Sequence, residues 1–218
     1  MTYQVDLLIP TARFVFSVEG DAVSVLPEHR SPEAFVEYRA LRERQPVVVR
    51  RAVVSSQEIA VGIRGTSRGQ RLGGVMPKAA ITRVATPESL LQRLGTADLT
   101  LPALASLATL RSRIAPPYAW GPTGSVGFQL ATGLPVVRVD SDLDIVMRFP
   151  EEPNRAEIAP LLRLFAELPV RCDAQMETPY GAVALAEWAR GERRMLLKTT
   201  RGPVLVANPW QSDQGEQP

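Results

Sequence analysis

The chain has 218 residues, with 25 basic and 23 acidic side chains, one histidine (His29) and one cysteine (Cys172). A Ser-His-Asp or Cys-His enzyme would have to rest on His29 alone, a zinc site lacks its ligands, and one cysteine forbids a disulfide within the chain. Chemistry must then run on carboxylates, hydroxyls, arginines, backbone groups or a hard metal ion, and a reducing cytoplasm is the natural setting.

An apolar fraction of 45% is enough for a globular core, and 22% charged residues argues against wholesale disorder. The length implies one large or two small domains. Met1 to Pro10 has no basic n-region and carries Asp6, so it does not read as a signal peptide. The longest mostly apolar stretch, Leu99 to Leu110, is too short and too polar to span a bilayer. Net charge is only +2, but Arg50 to Arg83 holds seven basic residues and one acid, Glu58. That excess suits a polyanion. Its confinement to one stretch and an aromatic content of 6% argue against nucleic acid as partner.

In chain order, Phe14-Val15-Phe16 and Ala22 to Leu26 read as short strands around a turn at Glu19-Gly20-Asp21. Ser31-Pro32-Glu33 starts a helix that runs to about Arg44. Pro46 to Val54, Glu58 to Ile63 and Ala79 to Val84 read as strands. Between the last two lies Gly62 to Arg71, a loop rich in glycine, hydroxyls and arginine. Thr86-Pro87-Glu88 opens a short helix closed by Gly95, and Pro102 to Ile114 is a second. The double proline Pro116-Pro117 ends it and marks a boundary between domains 1–115 and 116–218. Gly121 to Ser125 reads as a tight turn before a helix over Val126 to Thr132. Val136 to Val139 and Leu143 to Met147 are extended. Asn154, with Glu157 three residues on, caps a helix bearing Ile158, Leu161, Leu162, Phe165 and Leu168. Val170 to Met176 is a strand, Gly181 to Ala189 a helix, and Met195 to Lys198 and Val204 to Val206 are strands. The class is α+β: a strand-rich N-terminal domain, then a mixed sheet flanked by helices.

The chemistry concentrates in the second half. Around Ser141-Asp142-Leu143-Asp144, Leu143, Ile145 and Met147 point one way and Asp142 and Asp144 the other. Two like charges on one face need a cation between them, and Mg²⁺ (or Mn²⁺) bridging to substrate phosphates supplies it. The strand Cys172 to Glu177 repeats the pattern, with Asp173, Gln175 and Glu177 on one face. One helix separates the two strands, so Asp173 can join the pair as ligand or as base. Gly124-Ser125 at a helix start offers free N–H groups and a hydroxyl to a phosphate. Arg64, Arg68 and Arg71, in a glycine-rich loop, suit bidentate contact with further phosphates. Lys198 is a weaker candidate for the same role, and Cys172 faces the core.

Gly-Ser, then Asp-x-Asp, then a third Asp on the next strand resembles the DNA polymerase β-type nucleotidyltransferases. That resemblance implies attack of a hydroxyl on an α-phosphorus with pyrophosphate leaving. Trp120 to Gly133, Ser141-Asp142-Leu143-Asp144 and Thr178 to Trp188 together resemble one branch, the malonate decarboxylase holo-acyl-carrier-protein synthases, or phosphoribosyl-dephospho-CoA transferases. Val47 to Arg51 and Ala60 to Arg71 resemble that family's N-terminal half. Where the family is expected to open on a His-Asp-Leu motif, this chain has Val5-Asp6-Leu7-Leu8. The resemblance implies a triphosphoribosyl-dephospho-CoA donor and, as acceptor, a serine on the acyl-carrier subunit of malonate decarboxylase. It makes Asp142 and Asp144 the metal carboxylates and gives Gly124 and Ser125 the phosphates. Two other readings stand beside it: a nucleotidyltransferase of the same fold with another protein, RNA or small-molecule acceptor, and a non-catalytic nucleotide- or carrier-binding module.

Overall fold

The computed structural model describes residues 14–17, 24–25, 47–64 and 71–211. The helix expected over 31–44, the glycine-rich loop 65–70 and the opening Val5 to Leu8 lie outside them.

The first sheet is antiparallel throughout. It comprises β1 (Phe14–Ser17), β2 (Ser24–Val25), β3 (Val47–Val49), β4 (Glu58–Arg64), β5 (Arg71–Pro77) and β6 (Ile81–Ala85), in the order β2-β5-β4-β3-β1-β6. Although β1 and β2 are near in sequence, they are not partners: β1 lies between β3 and β6, and β2 lies on the far edge against β5. The strand expected over 46–54 pairs only through Val49. Arg50 still donates its N–H to the Ala60 carbonyl at 2.9 Å, but Arg51 turns away towards the second sheet, where its charge is met.

Thr86 then caps α1 (Pro87–Leu90), its hydroxyl accepting from the Ser89 N–H while the Ser89 hydroxyl accepts from the Thr86 N–H. A 3₁₀ stretch, Leu91–Thr96, and α2 (Pro102–Arg113) follow. Leu90, Leu94, Leu104, Leu107 and Leu110 are all buried in the core under the second sheet. The packing therefore changes sheets at Thr86, ahead of the division expected at 115/116.

The second sheet contains β7 (Ala119–Pro122), β8 (Leu143–Arg148), β9 (Cys172–Thr178), β10 (Gly181–Ala184), β11 (Met195–Thr199) and β12 (Gly202–Val206). Their spatial order is β12-β11-β10-β9-β8-β7, and only β8 and β9 run parallel. Three helices complete the layer: α3 (Gly124–Thr132), α4 (Arg155–Ala166) and α5 (Leu185–Arg190). The parallel β8/β9 pair requires a crossover, and α4 provides it. Alternation buries Leu143, Ile145, Met147 and Met176 against Val126, Ile158, Leu164, Leu185 and Trp188 of the helices. At the chain's far end, Trp210 meets Trp188 edge-on at 5.7 Å and donates its indole N–H to the Phe149 carbonyl at 2.8 Å.

Four local expectations change, the first being Val136 to Val139, which is not a strand: the Val136 and Val137 N–H groups donate to the Gln129 side-chain oxygen at 2.9 and 2.8 Å. Ala119–Pro122 is a strand, not part of a turn, because Trp120 is buried opposite Met147. Gly121 is required there by proximity: a Cβ would fall 2.1 Å from the Pro87 carbonyl oxygen. Gly181–Ala184 is likewise a strand, with the helix starting only at Leu185, because Ala182 and Val183 are buried against β9 and its core. The capping box expected at Asn154 reduces to one bond, from the Ala156 N–H to its side-chain oxygen at 2.9 Å.

Candidate active site

β8 places Asp144 on the face opposite Leu143 and Ile145. The parallel register pairs Asp144 with Asp173, Val146 with Gln175 and Arg148 with Glu177. The two aspartates are therefore neighbours on one sheet face, on strands about 4.8 Å apart. Asp173 is partly neutralised by Arg171, whose Nε and terminal nitrogen both sit 3.0 Å from one carboxylate oxygen. Asp142 stands one residue ahead of the strand and is half-buried.

Asp144 also abuts the start of α3. The Thr123 N–H donates to the Asp144 carbonyl at 2.8 Å. Gly124 follows with φ of +57°, and a Cβ built on it would lie 1.9 Å from a carboxylate oxygen of Asp144. Only glycine admits both that backbone and that contact. Thr123 makes no side-chain cap, and the half-buried Ser125 follows Gly124 in the first turn of α3, beside the carboxylate. A helix start of the kind that suits an anion thus meets a carboxylate at one point.

Among the described residues no three His, Cys, Asp or Glu side chains converge into a ready-made metal cage. Mg²⁺ is commonly held by only one or two carboxylates, with substrate phosphates and water completing its shell. Asp142 and Asp144 would be those carboxylates.

A pocket of about 750 Å³ opens from this point. Asp144, Asp173, Gln175 and Lys198 line its polar side, and Phe165 and Leu168 are on its apolar side. Lys198 reaches the acidic face through the β10–β11 register, opposite Ala182. Arg64 and Arg71 face each other at the end of the β4–β5 hairpin in the first sheet, and Arg68 lies outside the described residues. Asp144 and Asp173 therefore come together with Lys198 and the Gly124-Ser125 helix start, whereas Arg64 and Arg71 belong to another sheet. Cys172 points away from the acids; burial first, then Asp173 and Asp144, pushes its thiol up to about 12.

Sequence reasoning did not find the charge network farther along the same face. Glu177, 9% exposed, accepts from Arg51 at 2.8 Å and pairs with Arg148, which in turn bonds Glu88 at 2.5 Å. Burial, then the nearby Arg148 charge, lowers Arg51 to about 10. The alternation of β9 signals Glu177, but its partner is 126 residues away and no local pattern announces it.

Two family profiles match the chain. Residues 13–87 match the phosphoribosyl-dephospho-CoA transferase MdcG N-terminal domain, and residues 89–209 match the C-terminal domain. The chain belongs to this family. A Pseudomonas aeruginosa phosphoribosyl-dephospho-CoA transferase is 46% identical over 172 residues, covering 78% of this chain and 82% of that one. A Pseudomonas putida relative of the same name is 46% identical over 192 residues, covering 88% and 91%. One from Klebsiella pneumoniae is 42% identical over 176 residues, covering 79% and 85%. No solved structure matches the chain. As a member of the MdcG family, the chain is a transferase. The two matched regions meet next to Thr86, where the first sheet gives way to the second core, and all three aspartates fall in the C-terminal one.

Proposed function

We propose that the enzyme transfers the phosphoribosyl-dephospho-CoA group from triphosphoribosyl-dephospho-CoA to a serine of the acyl-carrier subunit of malonate decarboxylase. The serine oxygen bonds to the α-phosphorus, the bond from that phosphorus to the bridging oxygen breaks, and pyrophosphate leaves. The observation that carries this reading is the contact between Asp144 and the start of α3, which puts a carboxylate beside a helix N-terminus, and such a terminus favours a phosphate. Gly124 and Ser125 hold the phosphates; Asp142 and Asp144 would hold Mg²⁺ (or Mn²⁺), which would supply charge stabilisation at the reacting phosphoryl group. Asp173, next to Asp144 in register, takes the serine proton. Lys198, on the pocket wall with Asp144 and Asp173, supplies a cation for the leaving phosphates. The proposed setting is the cytoplasm; no helix among the described residues is long and apolar enough to cross a membrane.

The test is incubation of the purified enzyme with apo-carrier and donor, followed by intact-mass measurement of the carrier. We expect a gain of one phosphoribosyl-dephospho-CoA group, dependent on a divalent ion. An unmodified carrier overturns the reading.

A further inference from the structure

The pocket beside the aspartates has an unfinished sheet edge in its wall. β9 begins at Cys172, yet β10 meets it only from Gln175 to Thr178, because the chain leaves β10 after Ala184 to enter α5. Among the described residues no strand lies beside Cys172, Asp173 and Ala174 on that edge. The direction of their peptide groups follows from two bonds on the other edge. The Arg171 carbonyl accepts from the Leu143 N–H at 2.9 Å, and the Glu177 carbonyl accepts from the Phe149 N–H at 2.8 Å. Odd-numbered residues of β9 therefore turn their peptide groups to β8, and by the two-residue period Cys172 and Ala174 turn theirs to the open edge. Both residues line the pocket. Among its lining residues Ala166, Ala184 and Ala186 are small, beside the larger Leu162, Phe165 and Leu168.

We infer that this edge receives the acceptor: an extended, serine-bearing segment of the carrier protein adds to β9 as a short antiparallel strand, where β10 would run if it continued. This rests on the proposed transfer to a carrier serine and names the surface that presents it. Open strand edges recognise extended peptides in this way, with main-chain bonds giving affinity and alternate side chains giving specificity. The geometry selects one position. Cys172 and Ala174 bond to the guest strand, so the guest residue opposite Asp173 forms a non-hydrogen-bonded pair, whose Cα atoms approach to about 4.5 Å with side chains adjacent. A serine at that position shares the face of Asp173 and Asp144. The order across the sheet becomes serine, Asp173, Asp144: hydroxyl, base and metal carboxylate in a row. Lys198 lines the same side of the pocket and balances the acids.

The test uses the full chain, the apo-carrier and the donor, with KM for each substrate measured separately. Ala174→Pro removes the N–H aimed at the open edge and leaves the β8 ladder intact. Ala186→Phe, at an exposed position, fills the groove. We expect each to raise the KM for the carrier at least tenfold while the KM for the donor and kcat stay within twofold. Amide exchange at Cys172 and Ala174 should slow when carrier binds the wild type. If the wild type transfers the group but neither folded variant changes the carrier KM, or if exchange at both amides is unaffected, the docking inference falls and the proposed function stands. If the wild type does not modify the carrier, both fall.

Discussion

Asp144 carries the most weight of any single side chain, because it meets both the helix start and the neighbouring strand's acid. Asp142→Asn with Asp144→Asn should lower kcat/KM by at least about 100-fold, near 3 kcal/mol of transition-state stabilisation, and abolish the dependence on divalent ion. Steady-state rates across a Mg²⁺ titration check this; unchanged rates would remove both residues from the site. Cys172 gives a contrasting expectation. Its thiol, raised to about 12 chiefly by burial, stays protonated at neutral pH. Native enzyme should resist alkylation at about pH 8, and urea-unfolded enzyme should react. Because the folded value lies above the ordinary 9.0, the stability this thiol contributes is complete below pH 9.0 and is lost as pH rises towards 12. Rapid native labelling would show that burial does not hold the thiol protonated.

At the level of elements, the junction of β8 with α3 is the part that tolerates least change. Gly124→Ala imposes a left-handed backbone on a residue with a Cβ and drives that Cβ into Asp144. The backbone alone costs about 1–2 kcal/mol, so a fall in Tm of several degrees is expected together with near-complete loss of transfer. A variant as stable and active as the wild type would contradict the contact. Two of the elements misread from sequence share one cause. Ala119–Pro122 and Gly181–Ala184 are short, glycine-containing strands whose pairing partners lie elsewhere in the chain. Their local patterns resemble a turn and a helix start, and only burial of Trp120, Ala182 and Val183 decides against those readings. The long elements needed no such help: α2 and α4 carry enough apolar residues at helical spacing to declare themselves.

Over the whole molecule, the Arg51–Glu177–Arg148–Glu88 network joins the segment after β3 to the acidic face of the second sheet. Glu177 is 9% exposed and lies between two arginines that are 17% and 19% exposed, so removing it leaves buried cations without their anion. Glu177→Ala should destabilise the fold by about 3 kcal/mol, read as a lower urea midpoint. Glu88 adds a pH dependence. Burial opposes its ionisation, but the hydrogen bonds and charge of Arg148 and neighbouring groups outweigh this and hold the carboxyl below its ordinary 4.5. With the folded value depressed, the contribution is complete above pH 4.5 and is lost as pH falls through the folded value. Tm measured between about pH 3 and pH 6 should fall less steeply in Glu88→Gln than in the wild type; identical slopes would mean the pair contributes nothing.

The single His and single Cys, the α+β class, the family and the candidate Asp-x-Asp and Gly-Ser motifs are all legible in the sequence. They depend on residue type and on spacing along a single strand or helix, and those survive without knowledge of the fold. The register that sets Asp173 beside Asp144, the glycine pressed on a carboxylate, and the arginine 126 residues from its glutamate are tertiary facts. Each joins segments that no local period links. The same holds for the open edge of β9, which exists only because β10 stops short and the chain turns into α5 to bury Leu185 and Trp188.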